Sequence, residues 1–292
     1  MQLFYYDKAP NFGDALNPWI WPRLLGGRLQ ARSSTLFLGI GTILNEKLPE
    51  AERYAVLGAG CGYGPAARTD HRWNFYAVRG PLTALAFNLD PQLAAVDGAY
   101  LLRKLDLPAP FGPGPRIGFM PHWQTSLNTP WETICEQSGL RYLDPLLSVD
   151  ETLARLRGCD GVIAEAMHAA IAADALRIRW LPVRLTPEFL DFKWRDWLSS
   201  VDLEARPIAL PTTYHGVIGR KNESLVHRAY RGALNSTAYA VWQDHRLIVR
   251  LRKLRRKFEA DAGFGYLSNE RSMTRGLNRL EVALDRLRGS ET

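Results

Sequence analysis

The chain has 292 residues, 46% of them hydrophobic and 23% charged, with a formal net charge of +7. That is the make-up of a globular protein with room for two domains of about 100 residues and a further segment, and no run approaches the roughly 18 apolar residues that span a bilayer. Three cysteines (Cys61, Cys135, Cys159) are too few and too scattered for a disulfide framework or a zinc knuckle, and the N-terminus enters a strand-like run with no signal-peptide pattern, so a cytoplasmic protein is expected.

Residues 1–107 alternate short apolar runs with helical patterns. Strands are expected at 3–6, 35–40, 54–57, 75–78 and 94–96, and helices at 15–25 and 81–87. Such alternation builds a parallel sheet with crossover helices. The runs end in Asn11-Phe12-Gly13-Asp14, Gly39-Ile40-Gly41, Gly58 to Gly64, Arg79-Gly80 and Asp97-Gly98, turns that line the ligand edge of an open α/β sheet. Asp14 stands where a helix N-cap belongs, and capping alone accounts for it. As function, Gly13 lets the backbone approach a ligand, and Asp14 orients a sugar hydroxyl or takes its proton. Glycine at every second position from Gly58 to Gly64 does not have dinucleotide-fingerprint spacing. It reads as a tight turn or as a backbone nest for phosphate. Arg79, before a helix opened by Pro81, is either a surface residue or a bidentate clamp for carboxylate or phosphate.

A Pro/Gly-rich stretch at 108–115 reads as an interdomain linker. The alternation restarts over 116–217, with strands at 116–120, 161–164 and 179–183, and helices at 131–138, at 149–156 behind Ser148, and in an Ala-rich run after 165. The buried strand 161–164 breaks into that Ala-rich helix with Glu165 and His168 at the junction, next to free helix N-terminal amides. His168 either packs there or meets an anion. His122, in Met120-Pro121-His122-Trp123, falls at the same sheet edge. No HExxH pattern or Cys/His cluster occurs, so no metal is expected.

The charge is uneven. Residues 1–217 hold 21 Lys/Arg against 22 Asp/Glu, and residues 218–292 hold 16 against 8. In 245–258, Leu247, Ile248, Leu251, Leu254 and Phe258 follow helical spacing, with basic residues on the remaining surface. This basic helical extension reads as a helix packed across the two domains or as a surface for an anionic membrane. Nucleic acid is not expected, because no aromatics interleave with the charges and no known module accompanies them.

Taken in order, Asn11-Phe12-Gly13-Asp14, the Gly39/Gly41 and Gly58–Gly64 turns, Arg79-Gly80, Asp97, Pro121-His122 and Glu165-Ala166-Met167-His168 resemble the polysaccharide pyruvyl transferase family. The resemblance covers about residues 1–205 and is nearest to the succinoglycan type, in which the segment Phe192-Lys193-Trp194-Arg195-Asp196-Trp197 is also expected. It implies two Rossmann-like α/β domains facing across a cleft, as in GT-B glycosyltransferases. It also implies phosphoenolpyruvate as donor, no cofactor, and a cyclic pyruvate ketal formed on two hydroxyls of a sugar. The acceptor it implies is a lipid-linked oligosaccharide or polysaccharide at the inner face of the cytoplasmic membrane. His168 would act as acid or contact phosphate, with Asp14 or Glu165 at the acceptor hydroxyl. Arg79, His122, Gly60, Gly62 and Arg184 would bind the donor, and Asn11 and Asp97 the acceptor. Many members carry Arg-Leu-His-Gly where this chain has Ala166-Met167-His168-Ala169, so another basic residue must hold the donor or donor recognition differs. A nucleotide-sugar glycosyltransferase and a non-catalytic docking protein are the alternatives.

Overall fold

The computed structural model describes residues 1–127, 129–185, 191–211 and 237–290. Its first sheet joins β1 (Gln2–Phe4), β2 (Thr35–Leu38), β3 (Arg53–Leu57) and β4 (Trp73–Ala77) in that order, all parallel. The second sheet holds β5 (Ile117–Met120), β6 (Arg141–Tyr142), β7 (Gly161–Ala164), β8 (Arg179–Arg184) and β9 (Ile208–Ala209), again all parallel, in the order β6-β5-β7-β8-β9. The chain is therefore α/β with two parallel sheets. β5 and β7 are buried along their whole length, which is why they read as short uninterrupted apolar runs. The strand expected at 94–96 is reduced to one bridge between Val78 and Ala94. There the chain turns at Asp97 into the 3₁₀ segment Gly98–Lys104, whose first free amide, that of Ala99, is capped by the Asp97 carboxylate.

Helix α1 (Phe12–Leu25) follows β1 and is capped by Asn11, whose side chain accepts from the Asp14 amide at 2.9 Å. Phe12, Leu16, Trp19, Ile20 and Trp21 are all buried, while Pro18, Pro22 and Arg23 form its one exposed edge. It packs on α5 (Val149–Arg157) and α6 (Met167–Ala175) of the second half. Asn17 fixes its other side, exchanging hydrogen bonds with the backbone of Ile40 and accepting from the Trp21 indole. Gly39 is glycine because a Cβ there would lie 2.8 Å from Trp21 Cζ2.

Residues expected to link two domains run along the second half. The Phe111 amide donates to Ala154 O at 2.7 Å, and the Arg141 guanidinium donates to the carbonyls of Phe111 and Gly112. One apolar core continues from Trp21 and Phe37 through Met120, Leu153 and Ile171 to Trp180 and Trp197. The basic C-terminal part completes it. Helix α8 (Thr237–Ala260) buries Leu247, Leu251 and Phe258 on the second sheet and packs on α4 (Trp131–Ser138). Helix α9 (Glu270–Gly289) returns to β3 and β4 with Met273, Leu277, Leu280 and Leu287. The halves also share a buried polar junction, in which the Asp174 carboxylate accepts from Tyr100 Oη (2.8 Å), Trp180 Nε1 (2.9 Å) and the Ser268 amide (2.8 Å). Among the described residues no helix is long and apolar enough to cross a membrane.

Candidate active site

The carboxyl ends of the strands in both sheets converge on one cleft. From the first half its wall is the start of α1 (Asn11 to Asp14), Gly41, Thr42 and Tyr63. From the second come His122, Trp123, Met167 and His168, and Lys193 of α7 (Asp191–Ser200) closes one side.

Asp14 and His168 line the cleft from the first turns of α1 and α6. Asn11 Nδ2 donates to Asp14 Oδ2 at 2.6 Å. Burial raises the Asp14 pKa above the ordinary carboxylate value, opposed by that hydrogen bond and by the charges of His168 and Lys193. The His168 ring packs against Gly13, where a Cβ would sit 2.7 Å from the ring Cγ. Its Nε2 points away from the cleft toward Asp97 Oδ2, 3.7 Å away. Glycine at position 13 therefore gives the imidazole its place.

His122 caps the short helix α3 (Trp123–Ser126), its Nδ1 accepting from the Gln124 amide at 3.4 Å. Burial, followed by the charge of Lys193, lowers its pKa to about 4. The ring is thus neutral at physiological pH, and with Nδ1 accepting, the proton lies on Nε2 as a donor. Lys193 is a cationic side chain in the cleft wall; its Nζ donates to Tyr63 Oη at 3.1 Å and lies 5.3 Å from the Tyr63 ring centroid.

The chain is 36% identical over 219 residues to succinoglycan biosynthesis protein ExoV of Rhizobium meliloti (strain 1021), an alignment covering 73% of this chain and 69% of that protein. The chain belongs to the pyruvyl transferase family, in its succinoglycan-type branch. No family profile and no solved structure matches it.

Against the expectations drawn from the family's motifs, the cleft holds His168, Asp14, Asn11 and His122 together and leaves the others out. Arg79 is corrected most sharply. It is fully buried, with Nε on Asp196 Oδ2 (2.9 Å), one terminal nitrogen on Thr42 Oγ1 (2.8 Å) and the other on Cys61 O (2.8 Å). A guanidinium so engaged supports the cleft wall from behind, through Thr42, and does not reach a ligand. Gly60 is small to let Arg79 pass, since a Cβ would stand 2.7 Å from Arg79 Nε, and its amide already donates to Gly41 O. The amides of Gly58 and Cys61 are likewise bonded, to Ala77 O and Thr83 Oγ1. Gly62 takes φ +134° and lies beside Phe192, outside the cleft wall. The amides of Gly58, Gly60 and Cys61 are therefore engaged within the turn and not free for the expected phosphate nest.

Glu165 is corrected from acceptor contact to scaffold. It is buried, its Oε2 accepting from the His122 amide (2.8 Å) and Thr125 Oγ1 (2.5 Å), and burial raises its pKa against those hydrogen bonds. Asp97, expected at the acceptor, is fully buried behind His168. Arg184 is exposed at the end of β8, away from the cleft wall.

Thr42, Tyr63 and Lys193 were not expected in the site. Each adjoins or lies within a singled-out motif, and Lys193 is in the expected Phe192–Trp197 segment. What the sequence lacks is the pairing of Arg79 with Asp196, 117 residues apart, which docks α7 and with it Lys193.

Proposed function

We propose that this protein is a ketal-forming transferase of exopolysaccharide biosynthesis, moving the enolpyruvyl carbons of phosphoenolpyruvate onto two hydroxyls of one sugar in a polysaccharide or its lipid-linked repeat unit. The observation that carries this reading is the meeting of His168, Asp14, the neutral His122 and Lys193 on one cleft, in a chain 36% identical to a succinoglycan biosynthesis protein. Two parallel sheets with a cleft between their strand ends support the GT-B-like arrangement typical of the family.

In this reading Lys193 supplies the positive charge for the donor's carboxylate or phosphate, and His122 donates a neutral hydrogen bond. Thr42 and Asn11 bring hydroxyl and amide groups to the acceptor. Protonation of the donor's CH₂ carbon and attack of a first hydroxyl at C2 give a phospho-ketal. Loss of phosphate and attack of the second hydroxyl close the ring. In this reading Asp14 takes a hydroxyl proton, its pKa raised above the ordinary carboxylate value by burial. The outer side of α8 supports contact with the inner face of an anionic membrane, since Arg246, Arg250, Lys253, Arg256 and Lys257 are exposed there.

Calorimetric titration tests the donor assignment. Phosphoenolpyruvate should bind the wild type and bind Lys193→Gln at least tenfold more weakly, the value of about 1.4 kcal/mol for a charge-assisted contact. Binding of a nucleotide sugar with no binding of phosphoenolpyruvate would replace this reading by the glycosyltransferase one.

A further inference from the structure

We propose that Asp97 is a positioning residue that fixes the tautomer of His168, making Nδ1 the ring nitrogen that exchanges a proton with substrate. The substrate role rests on the pyruvyl transfer reading; the tautomer does not.

Asp97 Oδ2 and His168 Nε2 are both buried and both lack a hydrogen-bond partner. They face each other at 3.7 Å, with Asp97 fully buried and the His168 side chain 15% exposed. Two orphaned polar atoms in one dry pocket are an expensive arrangement unless they serve each other. A movement of less than about 1 Å turns this approach into a charge-assisted hydrogen bond.

The two residues come from opposite halves. Asp97 is held by the first half, where its Oδ1 accepts from the Ala99 amide at 3.0 Å. His168 is in the first turn of α6, in the second half. Closure of the cleft on a ligand would shorten the contact, and long catalytic hydrogen bonds that tighten in the complex are a common state of an empty site.

The charge on Asp97 decides the tautomer. A carboxylate facing Nε2 favours a proton there, because the alternative sets an imidazole lone pair against a carboxylate oxygen. The lone pair then lies on Nδ1, beside Gly13 in the cleft wall. In the second half-reaction, the proton of the attacking hydroxyl moves to Nδ1 as its oxygen bonds to C2 of the phospho-ketal and the C2–O bond to phosphate breaks. The imidazolium charge is balanced by Asp97, and the Nδ1 proton leaves on phosphate. Asp14 and Lys193 face the same cleft and set its charge together with this pair.

The test uses the full chain labelled with ¹⁵N-histidine, observed by long-range ¹H–¹⁵N correlation at roughly pH 8.5, where an ordinary imidazole is neutral. His168→Gln assigns the signal among the six histidines. The expected result is a protonated Nε2 and an unprotonated Nδ1. In Asp97→Asn, Oδ1 remains on the Ala99 amide and the NH₂ turns to Nε2, so the proton should move to Nδ1. kcat should then fall about 10²- to 10⁴-fold with KM for phosphoenolpyruvate within about threefold of wild type. A protonated Nδ1 in the wild type overturns the proposal, and so does an Asp97→Asn protein with unchanged tautomer and kcat. If that variant does not fold, the wild-type spectrum decides alone. The Nε2–H tautomer in a protein that does not turn over phosphoenolpyruvate would leave the positioning role standing and refute the reaction instead.

Discussion

Replacing Asp196 by alanine should unfold this protein far more easily without touching a group that meets substrate. Asp196 is fully buried and accepts from three donors: Arg79 Nε (2.9 Å), the Thr83 amide (2.9 Å) and Thr83 Oγ1 (2.6 Å). Its removal leaves a fully buried guanidinium without its counter-charge, at a cost of about 3–5 kcal/mol. With a urea slope of about 3 kcal/mol/M, the midpoint should fall by about 1–1.7 M. The double variant Arg79→Met/Asp196→Leu should recover most of that loss, because a pair removed together leaves no unpaired charge. Urea denaturation followed by tryptophan fluorescence reads all three proteins. The reasoning fails if Asp196→Ala melts within about 0.3 M of wild type while Arg79→Met alone abolishes donor binding, for Arg79 would then be a ligand contact and not part of the frame.

Two further predictions concern the cleft. Gly13→Ala puts a methyl group into the His168 ring, so kcat should drop by about 10²-fold through misplacement of the imidazole while circular dichroism stays native; full activity would mean that His168 moves aside at no cost to the reaction. Asp14→Asn should raise the melting temperature at pH 7 and abolish turnover. The folded-state pKa of Asp14 is raised, so the folded protein loses stability as pH rises from the unfolded to the folded pKa, and remains short of it at neutral pH. A lower melting temperature, or retained turnover, would contradict that assignment.

The strands β2, β3, β5, β7 and β8 were legible because they are buried along nearly their whole length in parallel sheets and so appear as short apolar runs with turn residues at each end, whereas β6 and β9, of two residues each, carry no such run. The His168 junction was legible for the same reason: β7 ends abruptly, and Glu165 and His168 are polar residues in an otherwise apolar stretch. Roles set by long-range pairing were not legible. An arginine before a helix looks the same whether it faces water or a buried aspartate 117 residues away, and the Gly58–Gly64 run looks like a phosphate nest until the amides of Gly58, Gly60 and Cys61 are seen to be bonded and Arg79 is seen crossing Gly60. The basic C-terminal region was readable either as a helix packed across both halves or as a surface for an anionic membrane. Its helices bury apolar faces in the cores of both halves, with Arg279 donating to Ala94 O, and carry basic residues on their outer sides.

Phosphate release from phosphoenolpyruvate, measured with and without a lipid-linked or synthetic oligosaccharide acceptor and followed by mass spectrometry of the sugar, tests the central claim most directly. The account predicts acceptor-dependent release and a sugar product heavier by one pyruvate less one water. Acceptor-independent release with an unchanged sugar, or transfer of a glycosyl group from a nucleotide sugar to the same acceptor, would contradict it.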